Sequence, residues 1–358
     1  METITNEKKE TLEEISEVLP YGYEITSYGI DFDVNGLVER LRRKDILVPY
    51  YQRAYVWKLG QASRFIESLL LGLPVPGIFL SKEPETEKLL VIDGQQRLKT
   101  LLYFYDGKFL PEEQDVTFAL ESVQDEFVGA TYAKLPPETK RRLNNAAIHA
   151  TIVKQDRPSE KSSSSVYYIF ERLNTGGTQL VPQEIRSAIL HGEFRDLLNK
   201  LNCNQKWRAI YGNKSRRIRD EELILRFFAF HYDGNKYSKP MKKFLNDYMR
   251  SNRHLQRQSA KELTKLFENT VSTAYEIYGK GSFKYSRGIL ASLFDSLMVG
   301  ISKRLEKGPI TDVKKAREKY INLLADTHYM DSVLSSTSDE KNVETRLTEA
   351  VRAFADVK

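Results

Sequence analysis

Apolar residues in the first half of the chain follow helical and strand periods in turn. Val34, Leu37, Val38 and Leu41 recur at i, i+3, i+4 and i+7, which predicts an amphipathic helix. A second helix is predicted from the apolar positions Phe65, Ile66, Leu69, Leu70 and Leu73. Two short β-rich runs, 77–82 and 88–93, surround a polar turn and predict a hairpin. A third helix is predicted to begin at Gln95, with a further helix over 137–147 and a strand over 149–154.

The second half of the chain has helical period almost throughout. Its predicted helices are Val166–Leu173, Pro182–Leu190, Asp220–Tyr232, Pro240–Arg250, Ala260–Tyr278, Ile289–Lys303, Val313–Thr327 and Lys341–Phe354. The pattern predicts an α+β protein, with a small α/β N-terminal domain followed by an all-helical C-terminal domain. We expect a flexible, Glu-rich segment over 1–25, the α/β domain over 26–160 and a basic helical domain over 161–358.

The composition is that of a folded, moderately polar protein. Hydrophobic residues make up 41% and charged residues 29%, which excludes global disorder. No apolar run approaches the ~20 residues that a membrane-spanning helix needs. Cys203 is the only cysteine, so the sequence excludes an internal disulfide and a multi-cysteine metal site. Sparse cysteine is typical of a reducing compartment, and we expect a cytoplasmic location.

Charge is distributed unevenly along the chain. Residues 1–160 carry 20 basic and 26 acidic side chains, a net of −6, whereas residues 161–358 carry 35 and 23, a net of +12. A basic region of this size indicates a polyanionic partner, with nucleic acid as the leading candidate. The alternative is that many of these lysines only solvate long helices.

The most specific motif is Asp93-Gly94-Gln95-Gln96-Arg97, at the predicted junction between a strand and a helix. Asp93 is expected to cap the helix, with Gln96 completing a capping box. Gly94 would let a ligand approach the backbone, and Arg97 would present a guanidinium beside the helix N-terminus. Together these groups predict a phosphate site. The alternative is an ordinary capped corner, although two glutamines and an arginine exceed what capping requires.

A second motif spans Val48–Trp57. Strand-like alternation would place on one face Tyr51, Arg53, Tyr55 and Trp57. An arginine between aromatic rings can hold a phosphate while a ring stacks on a base. We favour this function for Gln52 and Arg53, whereas a core position is the better explanation of Trp57.

A third motif covers 170–186. Asn174, Thr175 and the glycine pair at 176–177 are typical of a helix C-terminus, and this explanation is strong. What favours a function is the surrounding set of polar side chains, Arg172, Asn174, Gln183, Glu184 and Arg186.

A fourth feature is the basic stretch 206–219, which has no acidic residue and includes Trp207 and Tyr211. Such a stretch suits salt-dependent binding to a nucleic-acid backbone. The predicted DNA contacts are Lys206, Arg208, Lys214, Arg216, Arg217 and Arg219. The alternative is a solvated loop whose charges pair with the acidic start of the next helix, at Asp220.

The first three motifs, in this order and spacing, resemble the DGQQR-motif domain family. This family forms the N-terminal region of GmrSD-type modification-dependent restriction enzymes, and similar regions occur in BrxU and SspE. The resemblance covers about residues 30–200 and implies a ParB/sulfiredoxin-like α/β fold. It also implies binding and hydrolysis of a nucleoside triphosphate, GTP or ATP, with a divalent cation such as Mg²⁺, and a role in sensing or restricting foreign or modified DNA.

The resemblance also implies a role for each motif residue. The groups that contact the phosphates and the attacking water would be Asp93, Gln95, Gln96 and Arg97. The rest of the nucleotide pocket would comprise Tyr51, Gln52, Arg53, Gly94, Arg172, Asn174, Thr175 and Gly176.

The sequence departs from the family pattern in two places. Val181 stands where family members often carry a serine or threonine as a helix cap. The five histidines are scattered without the paired arrangement of an HNH nuclease, so we expect no such module in this sequence.

Three functional hypotheses follow. The first is a nucleotide-binding and nucleotide-hydrolysing, DNA-associated protein of prokaryotic anti-phage defence or modification-dependent restriction. The second is a non-enzymatic module that recognises DNA or a modified nucleotide and recruits a separate nuclease or another defence protein. The third is a metal-dependent ParB-like DNA nickase that uses Asp93, Glu184 or nearby carboxylates. We expect no membrane partner, and a homo-oligomer is compatible with each hypothesis.

Overall fold

The computed structural model describes residues 25–48, 55–83, 86–110, 116–155, 181–215, 217–285 and 288–358. Two compact units divide between Leu180 and Val181. We call their described parts the sheet unit (25–155) and the helical unit (181–358). The predicted α+β class with a helical second part is confirmed. The predicted boundary near 160 stays a prediction, because 156–180 lies outside the described residues, as do the predicted helix Val166–Leu173 and nearly all of 1–25.

The elements of both units are numbered here in chain order. The sheet unit contains β1 (Ile25–Asp33), α1 (Val34–Arg42), β2 (Ile46–Leu47), α2 (Leu59–Leu70), β3 (Ile78–Lys82), β4 (Leu89–Asp93), α3 (Gln95–Asp106), β5 (Lys108–Phe109), β6 (Val116–Thr117), α4 (Pro137–Asn145) and β7 (Ala147–Gln155). The helical unit contains α5 (Pro182–Ile189), α6 (Glu193–Leu201), α7 (Gln205–Tyr211), α8 (Arg219–Asp233), α9 (Met241–Ser251), α10 (Ala260–Tyr278), β8 (Lys284–Tyr285), β9 (Gly288–Ile289), α11 (Ala291–Leu305), α12 (Val313–Ala325), α13 (Thr327–Leu334) and α14 (Glu340–Phe354).

A mixed five-stranded sheet forms the sheet unit, with strand order β1-β7-β3-β4-β2. Strands β3 and β4 pair antiparallel, which confirms the predicted hairpin, and β7 pairs parallel with β3 and antiparallel with β1. The C-terminal ends of β1 and β4 therefore lie at the same end of the sheet as the N-terminal ends of β3 and β7.

The two faces of this sheet carry different side chains. On one face Ile78, Leu80, Val91 and Ile148 are buried in a core with the apolar sides of helices α1–α4. Side chains alternate between the faces along a strand. The β1–β7 and β3–β7 registers therefore place three chemically different side chains together on the other face: Asp31, Phe79 and His149. Asp93 is the partner of Phe79 in the register, next to an irregularity that interrupts the alternation between β3 and β4.

The helical unit has one large apolar core. Trp207 and the phenylalanines Phe194, Phe227, Phe267 and Phe294 are all fully buried in it. An ionic group lies inside this unit as well. Arg226 on α8 donates to Asp295 on α11 with an Nη2···Oδ2 distance of 2.6 Å, and Arg346 on α14 lies 3.8 Å from the same carboxylate. This group connects three helices.

Candidate nucleotide site and basic stretch

The strand–helix corner at Gly94 depends on glycine for two reasons. Gly94 lies between β4 and α3 with a φ of 101°, in the left-handed region that favours glycine. A Cβ at this position would also overlap the Ile78 side chain of the neighbouring strand. The missing side chain therefore makes room for Ile78 within the sheet unit. The predicted approach of a ligand to the Gly94 backbone stays a prediction.

The predicted cap at this corner is wrong. Gly94 is the N-cap of α3, and no side chain of the described residues caps the first turn. Because the left-handed glycine moves the helix start one residue onward, Asp93 ends the strand and its carboxylate faces Arg97 four residues later. The Arg97 Nη2 donates to Asp93 Oδ2 at 2.7 Å and to the Gly77 carbonyl oxygen at 3.0 Å. The uncapped N-terminus of α3 and this ion pair thus lie side by side.

The Asp93–Arg97 ion pair is partly exposed, and one of its donors has no partner among the described residues. The Asp93 side chain is 45% exposed and that of Arg97 is 15% exposed. The Arg97 Nε is buried and has no hydrogen-bond partner in the described part of the chain. A buried N–H without an acceptor costs about 1–3 kcal/mol. The corner therefore has one donor that a ligand oxygen could satisfy.

Gln96 connects the first motif to the second instead of forming a capping box. Its Oε1 accepts from the backbone N–H groups of Val56 and Trp57, at 3.0 and 3.3 Å. Nearby, the Tyr55 hydroxyl is 2.6 Å from the Thr100 hydroxyl on α3, and burial raises the pKa of Tyr55 to about 12. The end of the second motif is thus fixed to the start of α3.

The structure places the other predicted nucleotide contacts as follows. Gln95 is buried at the helix start. Tyr55 is a core residue and Trp57 packs edge-on against Phe65 at 5.7 Å, as the core interpretation of Trp57 predicts. The remaining candidates lie outside the described residues: Tyr51, Gln52, Arg53, Arg172, Asn174, Thr175 and Gly176. Their grouping around the corner stays a prediction.

The last part of the third motif is buried in the helical unit. Glu184 Oε2 accepts from the Val181 backbone N–H at 2.7 Å, so a glutamate in the first turn of α5 satisfies the N–H of the N-cap residue, while Val181 itself offers no capping side chain. The same carboxylate pairs with Arg217 at 2.9 Å. Arg186 donates to Gln183, and to Asn246 at 2.7 Å. These side chains connect the start of α5 to α8 and α9, and none of those named from α5 is exposed.

The predicted DNA contacts differ in how far their side chains are already engaged by other residues of the helical unit. Arg208 is held by Asp220 at 2.9 Å, and Arg217 by Glu184. Lys206 contacts Ser272 and, at 3.3 Å, Glu276 on α10. The ring of Trp207 is fully buried in the core, with Nε1 donating to Asn202, so it cannot stack on a base. Lys214 is exposed, Arg219 begins α8, and Arg216 lies outside the described residues.

A second carboxylate at the start of α8, that of Glu221, has a strongly shifted pKa. Burial raises the pKa of Glu221 to about 7, and the neighbouring Asp220 adds to this shift, whereas Arg195 opposes it. Burial likewise lowers the pKa of Arg195 to about 10. The two groups lie 3.9 Å apart and both are almost fully buried.

Sequence reasoning missed a polar pair on the exposed face of the sheet. His149 on β7 lies opposite Asp31 on β1, and its Nδ1 is 2.8 Å from the Asp31 carboxylate. The available signal was the position of His149 in a predicted strand, between the buried residues Ile148 and Ala150, which turns its side chain to the other face.

The described residues contain no group of three or more histidine, cysteine, aspartate or glutamate side chains that could hold a metal ion. None of the described helices combines the length and the apolar character that a membrane crossing requires.

Comparison with known proteins identifies the region that contains these motifs. Residues 34–191 match the family model described as the GmrSD restriction endonuclease, N-terminal domain. The matched range includes the corner at 93–97 and ends just after α5. A search of curated proteins gives no match to this chain. The match supports a domain of the GmrSD N-terminal type over residues 34–191.

Proposed function

We propose that this protein binds a nucleoside triphosphate, GTP or ATP, at the Asp93–Arg97 corner, hydrolyses it, and acts on DNA in prokaryotic restriction of foreign DNA. The family match supports the association with restriction and with DNA. The observation that carries the nucleotide site is Arg97, whose Nε is buried without an acceptor beside an uncapped helix N-terminus. A phosphate oxygen would satisfy this donor and would lie in the favourable field of the helix dipole.

Asp93 makes a divalent cation part of this proposal. The carboxylate neutralises Arg97, so the pair has no net charge with which to attract a triphosphate. Because Asp93 is half exposed, Mg²⁺ could bind its carboxylate and phosphate oxygens together, which is how Mg²⁺ usually binds nucleotides. In phosphoryl transfer the cation neutralises the charge that develops on the phosphate oxygens. Arg97 and the first-turn N–H groups of α3 would then orient the phosphate chain.

The direct test is hydrolysis of GTP and of ATP by the purified chain, with and without DNA and Mg²⁺. Arg97→Ala removes the guanidinium of the Asp93–Arg97 corner, and we expect a loss of about 10²–10³ in kcat/KM. Asp93→Asn should weaken the dependence on Mg²⁺. Lys99→Ala, on the same helix, is the matched control and should keep the wild-type rate.

Two outcomes would replace this proposal. DNA binding without hydrolysis of any nucleotide favours the recruiting module, in which the Asp93–Arg97 pair recognises an anion without chemistry. DNA nicking that requires a divalent cation but no nucleotide favours the nickase. The burial of Glu184 and its engagement by Arg217 make that glutamate a poor metal ligand for such an enzyme.

The basic stretch of the helical unit is our candidate for the DNA contact. Its lysines are better placed than its arginines, because Arg208 and Arg217 are already paired with buried carboxylates. In a mobility-shift salt series, the double change of Lys206 and Lys214 to alanine should reduce the salt slope by about 2. The same change at Lys261 and Lys341, exposed on α10 and α14, is the control. An unchanged slope for the first pair removes it from the interface.

A further inference from the structure

A histidine–aspartate pair stands at the same end of the sheet as the Asp93–Arg97 corner. His149 and Asp31 are direct partners in the β1–β7 register, and their side chains are 59% and 69% exposed. When Nδ1 donates to the Asp31 carboxylate, Nε2 is the ring nitrogen that can accept a proton. Among the described residues, Asp31 is the only hydrogen-bond partner of this ring.

The ring of His149 also lies against the backbone of β1. It lies over the backbone of Gly29 on β1, where a Cβ would come within 2.6 Å of the ring Cε1. That distance is too short for any side chain, so the orientation of the ring depends on glycine at this position. The His149 ring thus contacts Asp31 and the Gly29 backbone, and the rest of it is exposed.

Gly77 connects this pair to the corner. The Arg97 Nη2 donates to the carbonyl oxygen of Gly77, and a Cβ on Gly77 would lie 2.8 Å from the backbone oxygen of His149. Gly77 therefore lies between the backbone of His149 and the Arg97 guanidinium. In the register, His149 and Asp93 lie two strands and two residues apart. Strand geometry makes this roughly 12 Å between Cα atoms, comparable to an extended triphosphate with its attacking water.

We propose that His149, oriented by Asp31, is the general base for the hydrolysis assigned above to the Asp93–Arg97 corner. This inference rests on that proposed function. A water oxygen forms a bond to the γ-phosphorus, and its proton passes to His149 Nε2. The bond between the γ-phosphorus and the β,γ-bridging oxygen breaks, and its electron pair leaves with the nucleoside diphosphate. Asp31 stabilises the imidazolium that forms, so it is a positioning residue.

The test separates chemistry from binding. His149→Gln should lower kcat by about 100-fold and leave KM within about threefold, because a general base typically contributes 10²–10⁴-fold. His149→Ala should recover part of its rate in added imidazole, which a structural role would not permit. Asp31→Asn should lower kcat by about 10-fold. His328→Gln, an exposed histidine on α13, is the matched control. Binding of a non-hydrolysable nucleotide analogue should be unchanged in all four variants.

The outcomes distinguish this inference from the proposed function. Hydrolysis by the wild type with a near-normal kcat for His149→Gln overturns the role of His149 and leaves the corner intact. Loss of analogue binding together with kcat assigns His149 a structural role and also overturns the inference. No hydrolysis by the wild type overturns the proposed enzyme and the general base with it. If the His149 variants do not fold, Asp31→Asn decides by the same split between kcat and KM.

Discussion

Two carboxylate–guanidinium groups in this molecule have opposite surroundings. Asp295 is fully buried between helices and is shared by Arg226 and Arg346. Asp93 is half exposed and is paired with Arg97, whose buried Nε has no acceptor among the described residues. The same kind of ion pair thus joins helices in the helical unit, whereas in the sheet unit it leaves a half-exposed carboxylate at the surface. A pair that lies at an uncapped helix N-terminus is the better candidate for a ligand.

The helical unit contains further pairs of the buried kind. Glu184 holds Arg217 and the start of α5, and Asp220 holds Arg208. Sequence motifs alone do not distinguish these residues from Asp93 and Arg97, because all of them are charged side chains within short polar stretches of the sequence. Burial of the carboxylate is what separates them, because Glu184 and Asp220 are 1% exposed whereas Asp93 is 45% exposed. The buried pairs fix the positions of helices, and their charges are largely unavailable to DNA.

The largest expected effect is on stability, at the buried group. Asp295→Asn leaves two buried guanidiniums without an anion, and we expect a loss of about 3–5 kcal/mol in the free energy of unfolding. Urea denaturation measures it. Asp331→Asn, exposed on α13, is the control for removal of a helical aspartate. A loss below about 1 kcal/mol would mean that water reaches Asp295, and the contrast with Asp93 would disappear.

Local patterns predicted the β3–β4 hairpin and most of the described helices, because their hydrophobic periods lie within one segment, but they did not predict the short helices α6, α7 and α13. Strand β1 escaped prediction because residues 26–31 are exposed at a sheet edge and carry no buried alternation. Its partner β7 is far away in the chain, and the Asp31–His149 contact spans 118 residues. The cap at Asp93 failed for a smaller reason: the left-handed Gly94 shifted the helix start by one residue. The pairing of Arg208 with Asp220 agrees with the alternative given for the basic stretch, whereas the pairing of Arg217 with Glu184 depends on the packing of α5 and could not be predicted from a local pattern.

The next effect is a pH dependence at Glu221. Burial raises the folded-state pKa of Glu221 from 4.5 to about 7. Its contribution to stability is therefore complete below pH ~4.5 and is lost as the pH rises through ~7, because the unfolded chain releases this proton first. Relative to wild type, Glu221→Gln should gain about 1–3 kcal/mol of stability between pH 5 and pH 7.5.

Urea denaturation at the two pH values measures this gain. Glu193→Gln, exposed at the start of α6, controls for the loss of a carboxylate. An equal stability difference between Glu221→Gln and wild type at both pH values would show that Glu221 is ionised in the folded protein throughout this range. Buried charge in the helical unit would then be better compensated than the burial of Glu221 and Arg195 indicates.

The smallest effect on stability is expected at the corner itself. Asp93→Asn keeps the size of the side chain, and its half-exposed position lets solvent compensate for the lost charge, so the cost should be at most about 1 kcal/mol. The same variant should nevertheless change nucleotide hydrolysis and its dependence on Mg²⁺, which would show that Asp93 is present for chemistry. A cost near that of Asp295→Asn, with no change in nucleotide binding, would place the Asp93–Arg97 pair among the structural pairs of this molecule.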